Sequence, residues 1–159
     1  MIFSQLISFY FIPSKSMDPT LAVGDVLLVE KFRSKTGVAP KRGEIVLFSP
    51  PASLQSLVKS NGGRISDRDL FVKRVVAVGG DSVEVGGSGS VTVNGGRATG
   101  PPRDLCEAEP LGLIQKMVKS GESEVSEGDV FVLGDCSDVS VDSRVWVRGT
   151  VCRIFPPLG

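Results

Sequence analysis

Short apolar and β-branched runs recur along the chain, punctuated by Gly, Asp and Asn. They fall at 25–30, 44–48, 70–78, 82–85, 90–93, 129–133, 144–147 and 150–155. Runs this short, rich in Val and closed by turn formers, predict strands. Gly79-Gly80-Asp81, the glycine-rich stretch 86–89, Asn94-Gly95-Gly96 and Gly134-Asp135 supply the punctuation. Val83-Glu84-Val85 and Val91-Thr92-Val93, joined across a Gly-rich turn, read as a hairpin. With 19 glycines and few long helical periods, the expected fold is mostly β. An antiparallel, barrel-like or sandwich arrangement with long loops and at most a short helix fits best. Two stretches read as loops: 50–68, polar and rich in Ser and Gly, and 95–128, with Pro101-Pro102 and several acids. Inside the second, 111–118 predicts a short helix.

The first twelve residues are strongly apolar and stop at Pro13. A membrane-spanning helix needs about 20 apolar residues, so this run is too short. It also lacks the basic start and small-residue cleavage site of a signal peptide. Two readings stay open, an edge strand packed in the core or the tail of a longer anchor. The remainder, 13–159, shows no internal repeat or linker and is expected to form one domain.

Composition narrows the chemistry. Lys plus Arg and Asp plus Glu number 18 each, so no net field attracts nucleic acid, and a nucleic-acid partner is not expected. The chain has no histidine. That removes Ser-His-Asp triads, Cys-His pairs and every His-containing metal site. Cys106, Cys136 and Cys152 show no CxxC spacing, so no metal or other cofactor is expected. The count admits one disulfide plus a thiol, or three thiols. Three thiols is the plainer reading, since disulfides are rare in reducing compartments.

Three segments carry candidate chemistry. In Pro13-Ser14-Lys15-Ser16-Met17-Asp18-Pro19, two prolines fix φ locally and stiffen a turn that could hold a serine hydroxyl in place. An ordinary loop entering a strand reads the same way. Lys73 lies in the apolar run 71–78. Facing the core, it would lose hydration, favour its neutral amine and be able to take a proton from a serine. Strand alternation sends Lys73 and Arg74 to opposite faces, and leaves open which one points inward. The stretch 134–144, with Asp135, Ser140, Asp142, Ser143 and Arg144, could make a hydrogen-bonded corner or a plain polar turn.

Together these segments resemble the type I signal peptidases. Ser14-Lys15-Ser16-Met17-Asp18-Pro19-Thr20-Leu21, followed by Gly24-Asp25, is similar to the family's nucleophile segment, with Ser16 in the nucleophile position. Glu30-Lys31 and Arg42-Gly43-Glu44-Ile45-Val46-Leu47-Phe48 continue the pattern. Phe71-Val72-Lys73-Arg74, running on to Gly79-Gly80-Asp81, resembles the segment bearing the general base, which falls on Lys73. Gly134-Asp135 with Ser140, Asp142, Ser143 and Arg144 resembles the last box, so the likeness runs from Ile12 to Phe155. It implies a Ser–Lys dyad in which Ser16 attacks and Lys73 moves the proton. Ser14 and the Ser16 N–H would form the oxyanion hole, Ser140 would hydrogen-bond the lysine, and Asp142 and Arg144 would pair in support. It further implies a membrane-associated endopeptidase that removes signal peptides from preproteins after small side chains, in the A-x-A manner, at a lipid surface.

The chain departs from the family at Cys136-Ser137-Asp138-Val139, where Asn-Arg-x-Asn is usual, and at 147–149, where it is several residues short. Neither change touches the dyad. Ser56-Leu57-Val58-Lys59 and Lys35-Thr36-Gly37 fit penicillin-recognising signatures, but in the wrong order and without S-D-N. A self-cleaving SOS-type repressor shares the dyad yet needs a DNA-binding domain, and none is visible. A non-catalytic relative or subunit would keep Ser16 far from Lys73. Phe48-Ser49-Pro50-Pro51 and the ending Arg153-Ile154-Phe155-Pro156-Pro157 look most like plastid and cyanobacterial members. The expected location is therefore a chloroplast thylakoid membrane, with bacterial plasma and mitochondrial inner membranes as the alternatives.

Overall fold

The computed structural model describes residues 7–102, 106 and 112–146. Its strands form three antiparallel sheets rather than one closed barrel. In the first, β1 (Ile7–Phe11) pairs with β2 (Val26–Glu30). In the second, β4 (Phe71–Val78) runs between β3 (Ile45–Phe48) and β9 (Val130–Leu133). The third has the order β7 (Gly96–Arg97), β6 (Val91–Val93), β5 (Ser82–Val85) and β8 (Gly121–Glu124). The hairpin read from 83–93 is present as β5 and β6, with Val83 opposite Val93. The β-branched runs at 71–78, 82–85 and 130–133 form strands because their apolar residues have a core to face.

That core lies between the second and third sheets. Val75, Val76, Val83, Phe131, Val132 and Leu133 are buried there, with Phe48, Val145 and Trp146 closing one end. The centre of β4 and all of β9 are buried, as their near-continuous apolar sequence requires. Phe48 meets Phe71 and Trp146 edge-on, at centroid distances of 6.0 and 6.3 Å.

Among the described residues four short α-helices accompany the sheets: α1 (Phe32–Lys35), α2 (Ala52–Ser60), α3 (Gly112–Met117) and α4 (Ser143–Trp146). The expected helix at 111–118 is α3. Helix α2 occupies a stretch read as loop. Its Leu54, Leu57 and Val58 have helical spacing and pack on the core, and Pro51 precedes its first turn. The expected strand at 144–147 is a helical turn through Trp146. Asp142 accepts the Arg144 N–H on its carboxylate at 3.3 Å, as a helix-capping side chain does, and all four residues of the turn are buried. Strands β7 and β8 fall in the other stretch read as loop, whereas the strand expected at 150–155 and Cys152 lie outside the described residues.

Two further expectations change. Residues 7–11 do form an edge strand, but not one packed in the core: Phe9 and Phe11 are 71% and 75% exposed, and only Ile12 beyond them is buried. Cys106 and Cys136 form a disulfide, so the three-thiol reading is wrong. Sequence spacing cannot report that pairing, because the two Cα atoms come within 5.4 Å only through the fold.

Candidate active site

The nucleophile candidate sits on a loop tied shut at its base. Ile12 donates to the Asp25 carbonyl at 2.9 Å, and Gly24 donates back to the Ile12 carbonyl at 2.9 Å. Gly24 has φ +92°, a backbone shape that suits glycine. Between these ties, Ser14 is extended and Lys15–Met17 make a single 3₁₀ turn. Met17, 1% exposed, plugs the loop into the protein and carries Ser16 inward with it.

The base candidate arrives from the middle sheet. Lys73 on β4 is opposite Val46 of β3, and its side chain is 5% exposed. Its Nζ donates to Ser16 Oγ at 2.9 Å and to the Val72 carbonyl at 3.0 Å. The Phe71 ring centroid lies 5.4 Å from the same nitrogen. Among the described residues no carboxylate comes within ion-pair distance of it. Burial pushes the Lys73 ammonium down to about 8, against the more distant pull of Asp142 and Asp135. A serine hydroxyl touching a largely dehydrated amine is the arrangement by which an amine can remove a hydroxyl proton.

Arg74, the neighbour on the other face, is also used. It forks onto Asp135 through Nε at 2.9 Å and a terminal N–H at 2.7 Å, and its remaining nitrogen donates to the Gly43 carbonyl at 2.8 Å. The open choice between Lys73 and Arg74 thus resolves in favour of both, one towards Ser16 and one towards Asp135.

The turn after β9 closes the site. The Cys136 N–H donates to the Ser16 carbonyl at 3.1 Å. A Cβ on Gly134 would collide with the Ser140 side chain and sit 2.5 Å from the Ser16 carbonyl, so glycine alone permits this approach. Asp142, fully buried, accepts Arg144 Nε at 2.8 Å on one oxygen, and an Arg144 terminal N–H at 2.9 Å and the Gly134 N–H at 3.1 Å on the other. Arg144 spends its other N–H groups on the Gly89, Ser137 and Ser140 carbonyls. Asp142 and Arg144 pair as expected, with Arg144 4% exposed.

Ser14 lies beside the nucleophile candidate, whereas Ser140 stands differently from expectation. The Ser14 hydroxyl donates to Ser16 Oγ at 3.3 Å. Ser140 is fully buried near Gly134, but among the described residues its hydroxyl makes no hydrogen bond, to Lys73 or to any other group. The second hydrogen bond of Lys73 Nζ goes to the Val72 carbonyl of its own strand. Sequence reasoning also missed Thr20, whose hydroxyl donates to Asp135 at 2.5 Å. Only its place in the nucleophile segment could have pointed to it.

The family model described as signal peptidase, peptidase S26, matches residues 1–153. "Probable signal peptidase I-2" of Synechocystis is 34% identical over 136 residues, covering 86% of this chain and 54% of its own. "Thylakoidal processing peptidase 1, chloroplastic" of Arabidopsis thaliana is 35% identical, covering 92% and 41%. "Signal peptidase I" of Mycobacterium tuberculosis is 32% identical, covering 85% and 54%. The chain spans about half the length of these relatives. A signal peptidase I crystal structure from Enterococcus faecalis V583 overlays with a TM-score of 0.38 at 22% identity, covering 68% of this chain and 86% of that one. With its family model matched almost end to end, this chain belongs to the signal peptidases of peptidase family S26.

Proposed function

We propose that the chain is the catalytic part of a membrane-associated serine endopeptidase that removes signal peptides from preproteins by a Ser–Lys dyad. The observation that carries this reading is the 2.9 Å contact between Ser16 Oγ and the buried Lys73 Nζ. Neutral Lys73 takes the Ser16 proton as Oγ attacks the scissile carbonyl, and the resulting ammonium then protonates the departing amine. The Ser16 N–H and the Ser14 hydroxyl supply two donors to the developing oxyanion, which requires Ser14 to turn from Ser16 Oγ towards substrate. Arg144 and Asp142 hold the Gly134 turn against the nucleophile loop. Ser140 is the ready acceptor for the lysine once Ser16 has given up its proton, because its buried hydroxyl has no competing partner. Cleavage after small residues, A-x-A, follows the family pattern.

The lipid surface is supported by the first sheet. Phe9, opposite Leu28, and Phe11, opposite Val26, cover one face with side chains between 57% and 75% exposed. An apolar patch of this kind marks an interaction surface. No helix among the described residues is long and apolar enough to cross a membrane. The thylakoidal and cyanobacterial relatives favour a thylakoid membrane as the compartment.

The test is cleavage, in detergent or lipid, of a preprotein with an A-x-A site. Ser16→Ala and Lys73→Ala should each reduce the rate by at least about 10³-fold. Wild-type kcat/KM should climb tenfold per pH unit and level off above about pH 8, as Lys73 loses its proton. Retained cleavage in either variant would put the nucleophile or the base elsewhere.

A further inference from the structure

Ser16 comes from a loop and Lys73 from a strand, and they meet through one hydrogen bond, so something must fix their spacing. The backbone bond from Cys136 to the Ser16 carbonyl holds the front of the nucleophile loop. Behind it, the Leu21 N–H donates to the Met17 carbonyl at 2.9 Å, folding residues 17–21 into a turn. Thr20 sits inside that turn, on the exposed side of the molecule. Its hydroxyl reaches inward to Asp135 Oδ2, the oxygen that also accepts the 2.7 Å bond from Arg74. Asp135 is fully buried and Arg74 only 14% exposed, so this junction is rigid and largely dry. Arg74 is the residue after Lys73. A continuous hydrogen-bonded path therefore runs from the nucleophile loop through Thr20, Asp135 and Arg74 to the strand bearing the base.

We propose that Thr20 is a positioning residue for the Ser–Lys reaction, its hydroxyl clamping the nucleophile loop to the Asp135–Arg74 pair so that Ser16 Oγ stays within reach of Lys73 Nζ. The inference rests on the proposed function, and goes beyond it by giving an exposed threonine a part in the site. The methyl group of Thr20 makes no demand in this scheme. Serine should therefore replace it, and the isosteric valine should not.

Thr20→Val and Thr20→Ser are compared with wild type in preprotein cleavage and by titration of the Lys73 side chain in isotope-labelled protein. Thr20→Val is expected to lose about ten- to a hundredfold in kcat, with KM within about threefold, since small displacements of reacting groups cost that much. Thr20→Ser should recover most of the rate. The lost O–H also leaves Asp135 less compensated, so the Lys73 midpoint should rise in Thr20→Val and stay put in Thr20→Ser. If Thr20→Val does not fold, Thr20→Ala removes the same hydroxyl with less bulk. Wild-type kcat and an unmoved Lys73 midpoint in the valine variant would overturn the proposal, as would a serine variant equally impaired. A wild-type protein that cleaves nothing would sink the peptidase reading instead, and the Lys73 midpoint alone would then decide the role of Thr20.

Discussion

The corner around Asp81 and the pair formed by Ser16 and Lys73 are both buried, yet they treat charge in opposite ways. Asp81, 5% exposed, accepts Arg42 Nε at 2.7 Å and a second Arg42 N–H, the Val78 N–H at 2.8 Å and Asn94 Nδ2 at 3.0 Å. Arg42 foremost, with the Val78 and Asn94 donors, holds its carboxyl well below the usual carboxylate range. Lys73, equally buried, has a hydroxyl and a carbonyl for partners and no carboxylate in contact. Ser140, in the turn after β9, keeps a buried hydroxyl with no partner among the described residues. Satisfied buried groups at one corner and under-satisfied ones at the other are what the proposed dyad calls for, since functional sites depart from the rules that stabilise the rest of a fold.

Three substitutions can break or sharpen that contrast. The largest effect is expected at Lys73, where activity and stability should move apart. Lys73→Met should abolish cleavage yet raise the unfolding free energy at pH 7 by on the order of 2–3 kcal/mol. The sign follows from the folded midpoint near 8 lying below the unfolded one near 10.5. The unfolded chain holds this proton more tightly, so the residue costs stability below pH 8, and the cost fades between about pH 8 and 10.5. Denaturant melts at pH 7 and pH 10 measure it; a methionine variant less stable at both would show that Lys73 contributes to the fold. Next comes Asp142→Ala, which strands the 4% exposed Arg144 and the Gly134 N–H. Breaking a buried pair from one side costs about 3–5 kcal/mol, and a melt within 1 kcal/mol of wild type would argue against that pairing. The smallest change is Asp81→Asn, about 1–3 kcal/mol in stability with cleavage kept in the folded protein. Because the Asp81 pKa is depressed, its contribution is present above about pH 4 and lost as the solution is acidified further. The variant should therefore lose part of the wild-type sensitivity to acid, and an unchanged acid melt would count against the corner's role.

How legible all this was depends on what each residue needed from its surroundings. The strands over 26–30, 45–48, 71–78 and 130–133 were readable because Val, Ile and Leu declare themselves. Helix α2 was not, although Leu54, Leu57 and Val58 have helical spacing, because Pro50-Pro51 and the serines outweighed three apolar positions. The turn at 143–146 imitates a strand in sequence, and becomes helical through the Asp142 carboxylate cap. Ser16 and Lys73 were placed by likeness to a family, since local pattern left each ambiguous. Their contact, 57 residues apart in sequence, is a property of the fold. Thr20, Asp135 and the disulfide needed three-dimensional neighbours before they meant anything.

The bond from Cys136 to the Ser16 carbonyl has a consequence for biosynthesis. The loop bearing Ser16 is made some 120 residues before its bracing strand exit. Asp142 and Arg144, which steady that exit, emerge later still. A nascent chain therefore carries both Ser16 and Lys73 for roughly 60 residues of elongation before the brace that aligns them is made. The proposed Ser–Lys pair gains its full bracing only once residue 144 has emerged.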